Sequence, residues 1–142
     1  MANEFVNAKI AIMAVVAGVS GIAQAPTNPN DTQNVYPFVA GYLSTANVGG
    51  GAIGTNKALY NISLDLLTKM NDLASDLALL DPFIDSIPAA LEVEITTGDR
   101  FGATISTFDS ITIQFIPGVE YDGVPCRGYR FILNNVKILS NT

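Results

Sequence analysis

Ile10 to Ala23 is a fourteen-residue run without a single charge, IAIMAVVAGVSGIA, and a chain that carries such a run has to bury it. A bilayer span is excluded by length, since crossing one takes about 20 residues. With Ala23-Gln24-Ala25 behind it, the run imitates a secretory signal and its A-x-A cleavage site. Glu4 beside Lys9 denies it a clearly positive leader, and Pro26 sits where it obstructs the cut. Phe5, Ala8, Ile12, Val15, Val16, Val19 and Ile22 recur at three- and four-residue steps, which predicts a core helix over residues 4–22. Gly18 and Gly21 weaken its C-terminal end. The stretch from Ala25 to Asn34, with Pro26 and Pro29 among turn formers, stops it.

The period then changes from helical to two. Tyr36, Phe38, Ala40 and Tyr42 alternate within Val35 to Thr45, with Pro37 at the start or on an edge where its missing N–H is harmless. Ala58, Tyr60, Ile62, Leu64 and Leu66 alternate against Asn61, Ser63 and Asp65, which predicts a hairpin partner. The connection Ala46 to Lys57, ANVGGGAIGTNK, is long and glycine-rich, and such loops in compact domains usually carry a function. It brushes against the phosphate-loop pattern at Gly49 and Gly54. Thr55 and Asn56 stand where Lys and Ser/Thr belong, Lys57 comes two residues late, and no helix follows to supply a phosphate cradle. The loop reads instead as a segment that orders against a neighbouring subunit, with Val48, Gly49, Gly50, Gly51, Ala52, Ile53 and Gly54 as the subunit-interface candidates.

Helix returns at Asn71. Leu73, Leu77 and Leu80 form its stripe, and Asp72 and Asp76 lie where the helix dipole favours acids. Asp81-Pro82 reads as a cap followed by proline at the first helical position of a short helix carrying Phe83, Ile84 and Ile87, which Pro88 disturbs. These acids read as caps and solvated faces. Beyond Glu92 the pattern is β-rich: Ser110 to Ile116, a turn or bulge at Pro117-Gly118, a further turn or strand extension around Tyr121 to Gly123, and a closing strand over Arg127 to Leu139 with a break near Asn134-Asn135. The order predicts a single α+β domain over residues 1–142, its mostly antiparallel sheet packed against the N-terminal helix and the central helical segment.

The chemical inventory is thin. The chain has no histidine and no tryptophan, and Cys126 is its only cysteine. A His-dependent triad, a His general base and most zinc sites are thereby excluded, and Cys126 reads as a partly buried strand residue. Apolar residues make up 49% and charged residues 14%, against roughly 25% charged in a typical soluble domain. Such a surface suits burial against other subunits. Net charge is −6, and Arg127 with Arg130 is the nearest approach to a basic cluster, so nucleic acid is not the main partner. No catalytic residue, cofactor or metal site emerges. The expectation is a non-enzymatic assembly protein, with a small-ligand module using the hairpin loop as a lid as the alternative.

Gly18-Val19-Ser20-Gly21-Ile22 leads to Tyr36-Pro37-Phe38-Val39, a hairpin strand follows, then a Leu- and Asp-rich helical segment from Asp72 to Leu91. The chain closes with the run Val119 to Leu133 containing Gly128-Tyr129-Arg130-Phe131. This layout resembles the tail terminator (minor tail or tail-completion) proteins of long-tailed bacteriophages, over almost the whole chain, through the order of elements and not through a strict signature. The resemblance implies a virion protein, assembled in the host cytoplasm: a homohexameric ring at the head-proximal end of the tail tube. That ring ends tube polymerisation and docks on a neck or connector protein, and DNA passes only through its lumen. Another neck, connector or tail tube subunit shares much of this architecture. Self, tail tube protein and neck protein are then the partners, and no membrane is involved.

Overall fold

The computed structural model describes residues 4–27, 35–49, 57–97, 100–121 and 123–138. The order of elements is α1 (Glu4–Ala17), β1 (Phe38–Gly49), β2 (Lys57–Lys69), α2 (Leu73–Leu80), α3 (Phe83–Thr96), α4 (Arg100–Ala103), β3 (Ile105–Thr107), β4 (Ser110–Tyr121) and β5 (Val124–Ile138). The architecture is α+β, with one antiparallel sheet and helices on one of its faces.

Two hairpins build the sheet. β1 pairs with β2 from Phe38↔Leu67 to Gly49↔Lys57, and β4 pairs with β5 from Ser110↔Asn134 to Tyr121↔Val124. The second hairpin docks on the first through β2 and β5, from Leu59↔Lys137 to Lys69↔Cys126, while β3 continues the β4 side at Ile105↔Ile138. The lateral order is therefore β1, β2, β5, with β4 and β3 sharing the far edge.

Alternation sorts the strand residues into two layers. Val39, Ile62, Leu64, Leu66, Phe131 and Leu133 point to the helices, where they meet Ala8, Ile12, Met13 and Val16 of α1 and Leu80, Phe83, Ile87 and Leu91 of α2 and α3. Each of these large side chains, fully buried, stabilises the fold by about 1.5–3 kcal/mol. Among the described residues, the opposite face carries a smaller cluster of strand and loop residues, centred on Phe38, Ala40, Leu67 and Cys126.

The helix expected over residues 4–22 ends at Ala17, five residues early. Gly18 begins a turn, and Gly21 takes a left-handed φ of +97° where an added Cβ would meet the Phe83 ring. Val19 and Ile22 still pack on the core from that turn, so the apolar stripe outlasts the helix. β1 continues to Gly49, into the segment read as loop. Asp81 is not the cap of α3: it closes α2, and the residue before α3 is Pro82, with no side-chain cap. Pro88 does not break α3, which runs through it to Thr96 because Phe83, Ile87 and Leu91 on its inner face are buried. α4 and β3, with buried Phe101 and Ile105, are absent from the pattern-based reading. Asp72 does cap α2, its carboxylate accepting the Ser75 N–H at 3.1 Å.

Two glycines let layers approach. A Cβ on Gly41 would press on Met13 of α1, and one on Gly128 would run into the Leu66 carbonyl of β2. The first obstacle is a flexible side chain; the second is backbone in the middle of the sheet. Gly128→Ala should therefore reach the upper end of the cost of overpacking, about 1–3 kcal/mol, with Gly41→Ala below it. Urea unfolding of the two variants checks the order, and equal losses would refute it.

Candidate subunit interface

Of the residues expected to reach a neighbour, Val48 and Gly49 end β1, paired with Ala58 and Lys57 of β2. Gly50, Gly51, Ala52, Ile53 and Gly54 lie outside the described residues. The structure adds surfaces that period-based reading missed. α1 is apolar on its outer side as well as its inner one: Val6 and Ile10 are 47% and 46% exposed, and Ala14 and Ala17 follow on the same exposed side. Apolar side chains exposed together on one side of a helix, here with Asn7 beside them, suit a contact with another surface. At the sheet margins, Leu43 on β1 and Phe115 on β4 are also largely exposed.

The bare face of the sheet is polar at its centre. Asp65, in the middle of β2, accepts from Arg130 Nε at 2.8 Å and Nη2 at 3.2 Å, and from the Tyr42 hydroxyl at 3.0 Å. The Ser44 and Ser63 hydroxyls meet beside it. The hydrogen bonds that Arg130 donates to Asp65 raise its already high pKa; burial, then the Asp65 charge, pushes the Tyr42 phenol up. Tyr42 thus stays a neutral donor and Arg130 stays a cation. Tyr36, Phe38 and Tyr42 divide accordingly: Phe38 is core of the small cluster, Tyr36 packs on it, and Tyr42 belongs to the polar network.

Arg127 is three residues from Arg130 on the same strand, so the pleat sends it to the other face. There its Nε lies 3.0 Å from Asp76 Oδ2, without the alignment of a hydrogen bond, and its Nη2 reaches the Asn71 carbonyl at 3.4 Å. Asp76 also accepts the Asn71 N–H at 2.9 Å. This acid, read from sequence as solvated, is buried. The two arginines therefore form no basic patch, each being matched by an aspartate on its own face. Beside Arg127 on the helix side, the Tyr129 hydroxyl donates to Asp81 at 2.7 Å, which pushes the phenol up to about 12.

Among the described residues no three His, Cys, Asp or Glu are grouped to hold a metal ion. A cleft of about 200 Å³ between the end of α3 and the start of β4, lined in part by Glu92, Phe108 and Asp109, is smaller than common ligand sites of about 300–1,000 Å³. Cys126 is fully buried, and burial raises its thiol pKa, which favours the unreactive protonated form. No described helix is long and apolar enough to cross a membrane. No protein-family model matches the chain, and no curated protein matches it.

The two ion pairs differ in shelter: Arg127 and Asp76 side chains are 12% and 6% exposed, Arg130 and Asp65 38% and 12%. Asp76→Ala strands a buried guanidinium and should cost about 3–5 kcal/mol. Asp65→Ala leaves Arg130 able to hydrate and should cost about 1–3 kcal/mol. Chemical denaturation of both variants, with Arg127→Ala and Arg130→Ala to close the double-mutant cycles, measures the difference. Tyr129 gives a pH signature. Its pKa is raised on folding, so its contribution is complete below about pH 10, the ordinary value for tyrosine, and is lost as pH rises through about 12. Wild-type melting temperature should fall more steeply than that of Tyr129→Phe across this window; parallel curves would refute the assignment.

Proposed function

We propose that this chain is a structural virion protein: a subunit of the ring that closes the head-proximal end of a phage tail tube, ends its polymerisation and joins the tail to the neck. The observation that carries the reading is the outer side of α1, where Val6 and Ile10 stay half-exposed in a chain with 14% charged residues. A monomer gains nothing from an apolar helix surface turned to water, whereas a subunit gains a contact. The element order that resembles tail terminators supports the position in the virion, and six copies is the stoichiometry that resemblance implies. The neutralised arginines and the net charge of −6 suit a lumen that DNA crosses without sticking.

A tail tube subunit is the second reading, because a head-to-tail contact makes an open filament as readily as a ring when its rotation does not close. Native mass spectrometry and light scattering of the purified chain, followed by electron microscopy of labelled virions, separate the two. A ring of fixed size located between tail and neck is the expected result. Open-ended tubes of unlimited length would move the chain to the tube. A monomer at all concentrations that also fails to bind isolated tail tubes would sink both.

A further inference from the structure

The first residues of β1 show how its outer edge accepts a strand. Gln24 lies parallel to Phe38, the Ala23 N–H donates to the Pro37 carbonyl at 2.9 Å, and the Val39 N–H donates to the Gln24 carbonyl at 2.9 Å. Antiparallel alternation turns the N–H and C=O of Gly41 and Leu43 the same way as those of Val39, away from β2. Past Val39 no described residue pairs with that edge. Sheets ordinarily guard such an edge with charge, proline or a bulge. Between Phe38 and Gly49 there is neither charge nor proline, and only the irregularity between Leu43 and Thr45 interrupts the strand.

The far edge matches it. β4 is uncharged and free of proline from Ser110 to Ile116, and its protection starts with Pro117, the register shift after Ile116 and Glu120. β1 runs parallel to β5 and β4 runs antiparallel to it, so β1 and β4 point in opposite directions across the sheet. A second copy set alongside with its sheet in line brings its β4 to the first copy's β1 in the antiparallel sense. The side chains agree as well. Leu43 lies opposite buried Ile62 and Phe115 opposite Tyr129, so both project on the helix face, one at each margin, 41% and 45% exposed. Joining the edges would bury each against the other.

We propose that copies of this chain associate edge to edge, β1 of one against Ser110–Ile116 of the next, in a continuous antiparallel sheet. This inference rests on the assembly reading above and supplies the surface it needs: two different patches on each copy, which is the requirement for a head-to-tail ring.

The full chain, Leu43→Lys, Phe115→Lys and an equimolar mixture of the two variants test it, by native mass spectrometry with circular dichroism as the folding control. Thr45→Lys and Thr112→Lys, exposed on the same two edges, replace any variant that does not fold. The wild type should assemble, and each lysine variant alone should remain monomeric at concentrations at least about tenfold above those at which the wild type assembles, a lysine on an edge being the natural guard against pairing. The mixture should stop at a heterodimer, because one intact β1 edge and one intact β4 edge remain between the two chains. A wild type that forms rings while both folded variants form them equally well would overturn edge pairing and leave the ring intact. A mixture that shows no heterodimer, or one that completes a ring, would overturn it too. A wild type that never self-associates, alone or on isolated tail tubes, would remove the ring and the edge contact together.

Discussion

The whole structure hangs on β5. Its fifteen residues pair with β2 along one side and with β4 and β3 along the other, so both hairpins and every apolar layer are referred to one strand. Such a strand has to be tolerant where its neighbours crowd it. Gly128 sits where a side chain would strike the β2 backbone, and Asn135 takes a φ of 55° where the β2 register shifts between Tyr60 and Ile62. With β5 in the middle, β1 and β4 are left as margins. The helices between the hairpins, together with α1, then cover one face only.

The pleat of this strand also decides the electrostatics. Arginines at an odd separation along it point to opposite faces, and each meets an aspartate, on β2 for one and on α2 for the other. A pair on one face would have made a positive patch fit for phosphate; here both charges are spent internally. The bare face is accordingly polar but close to neutral. Burial of charges in this way is weak evidence for stability, since desolvation offsets most of the attraction. What the pairs do provide is register: Asp65 meets Arg130 only when β2 and β5 are aligned as they are, with Asp65 directly opposite Arg130.

Much of this was legible in the residue pattern, because alternation and helical spacing are short-range signals that burial enforces. The α1 stripe, the β1–β2 hairpin and the strands β4 and β5 follow from periods of 3.6 and 2, and the faces assigned to Ile62, Leu64 and Leu66 hold. Of the stripe expected on α2, Leu80 is buried but Leu73 is 48% exposed, and Asp76 turns inward instead. What was not legible depends on partners far away in the chain. Asp76 reads as a solvated acid until Arg127 arrives beside it. Pro88 reads as a breaker until three buried side chains hold α3 together across it. Val19 and Ile22 read as helix, yet a turn delivers them to the same core, since the stripe records which residues are buried and not how the backbone gets them there. Leu43 and Phe115 gave no signal at all: an exposed side chain at a sheet margin looks identical, in sequence, to a buried one at its centre.

The two kinds of apolar surface lie in different directions, and this bears on what the proposed ring would have available. The margins face along the plane of the sheet, so contacts through them extend the sheet sideways. The outer side of α1 faces away from the sheet, because its inner side, with Ala8, Ile12 and Val16, is packed down onto it. A contact through β1 and β4 therefore leaves Val6 and Ile10 uncovered. A closed ring built from such subunits still has one apolar helix per copy turned outward from its sheet, repeated with the symmetry of the ring. A partner that shares the symmetry meets all of them at once, so a contact too weak to hold for one copy holds for the set. On the proposed reading, lateral closure and attachment to a tube or neck would use separate surfaces of the same small chain, and neither would have to be broken for the other to form.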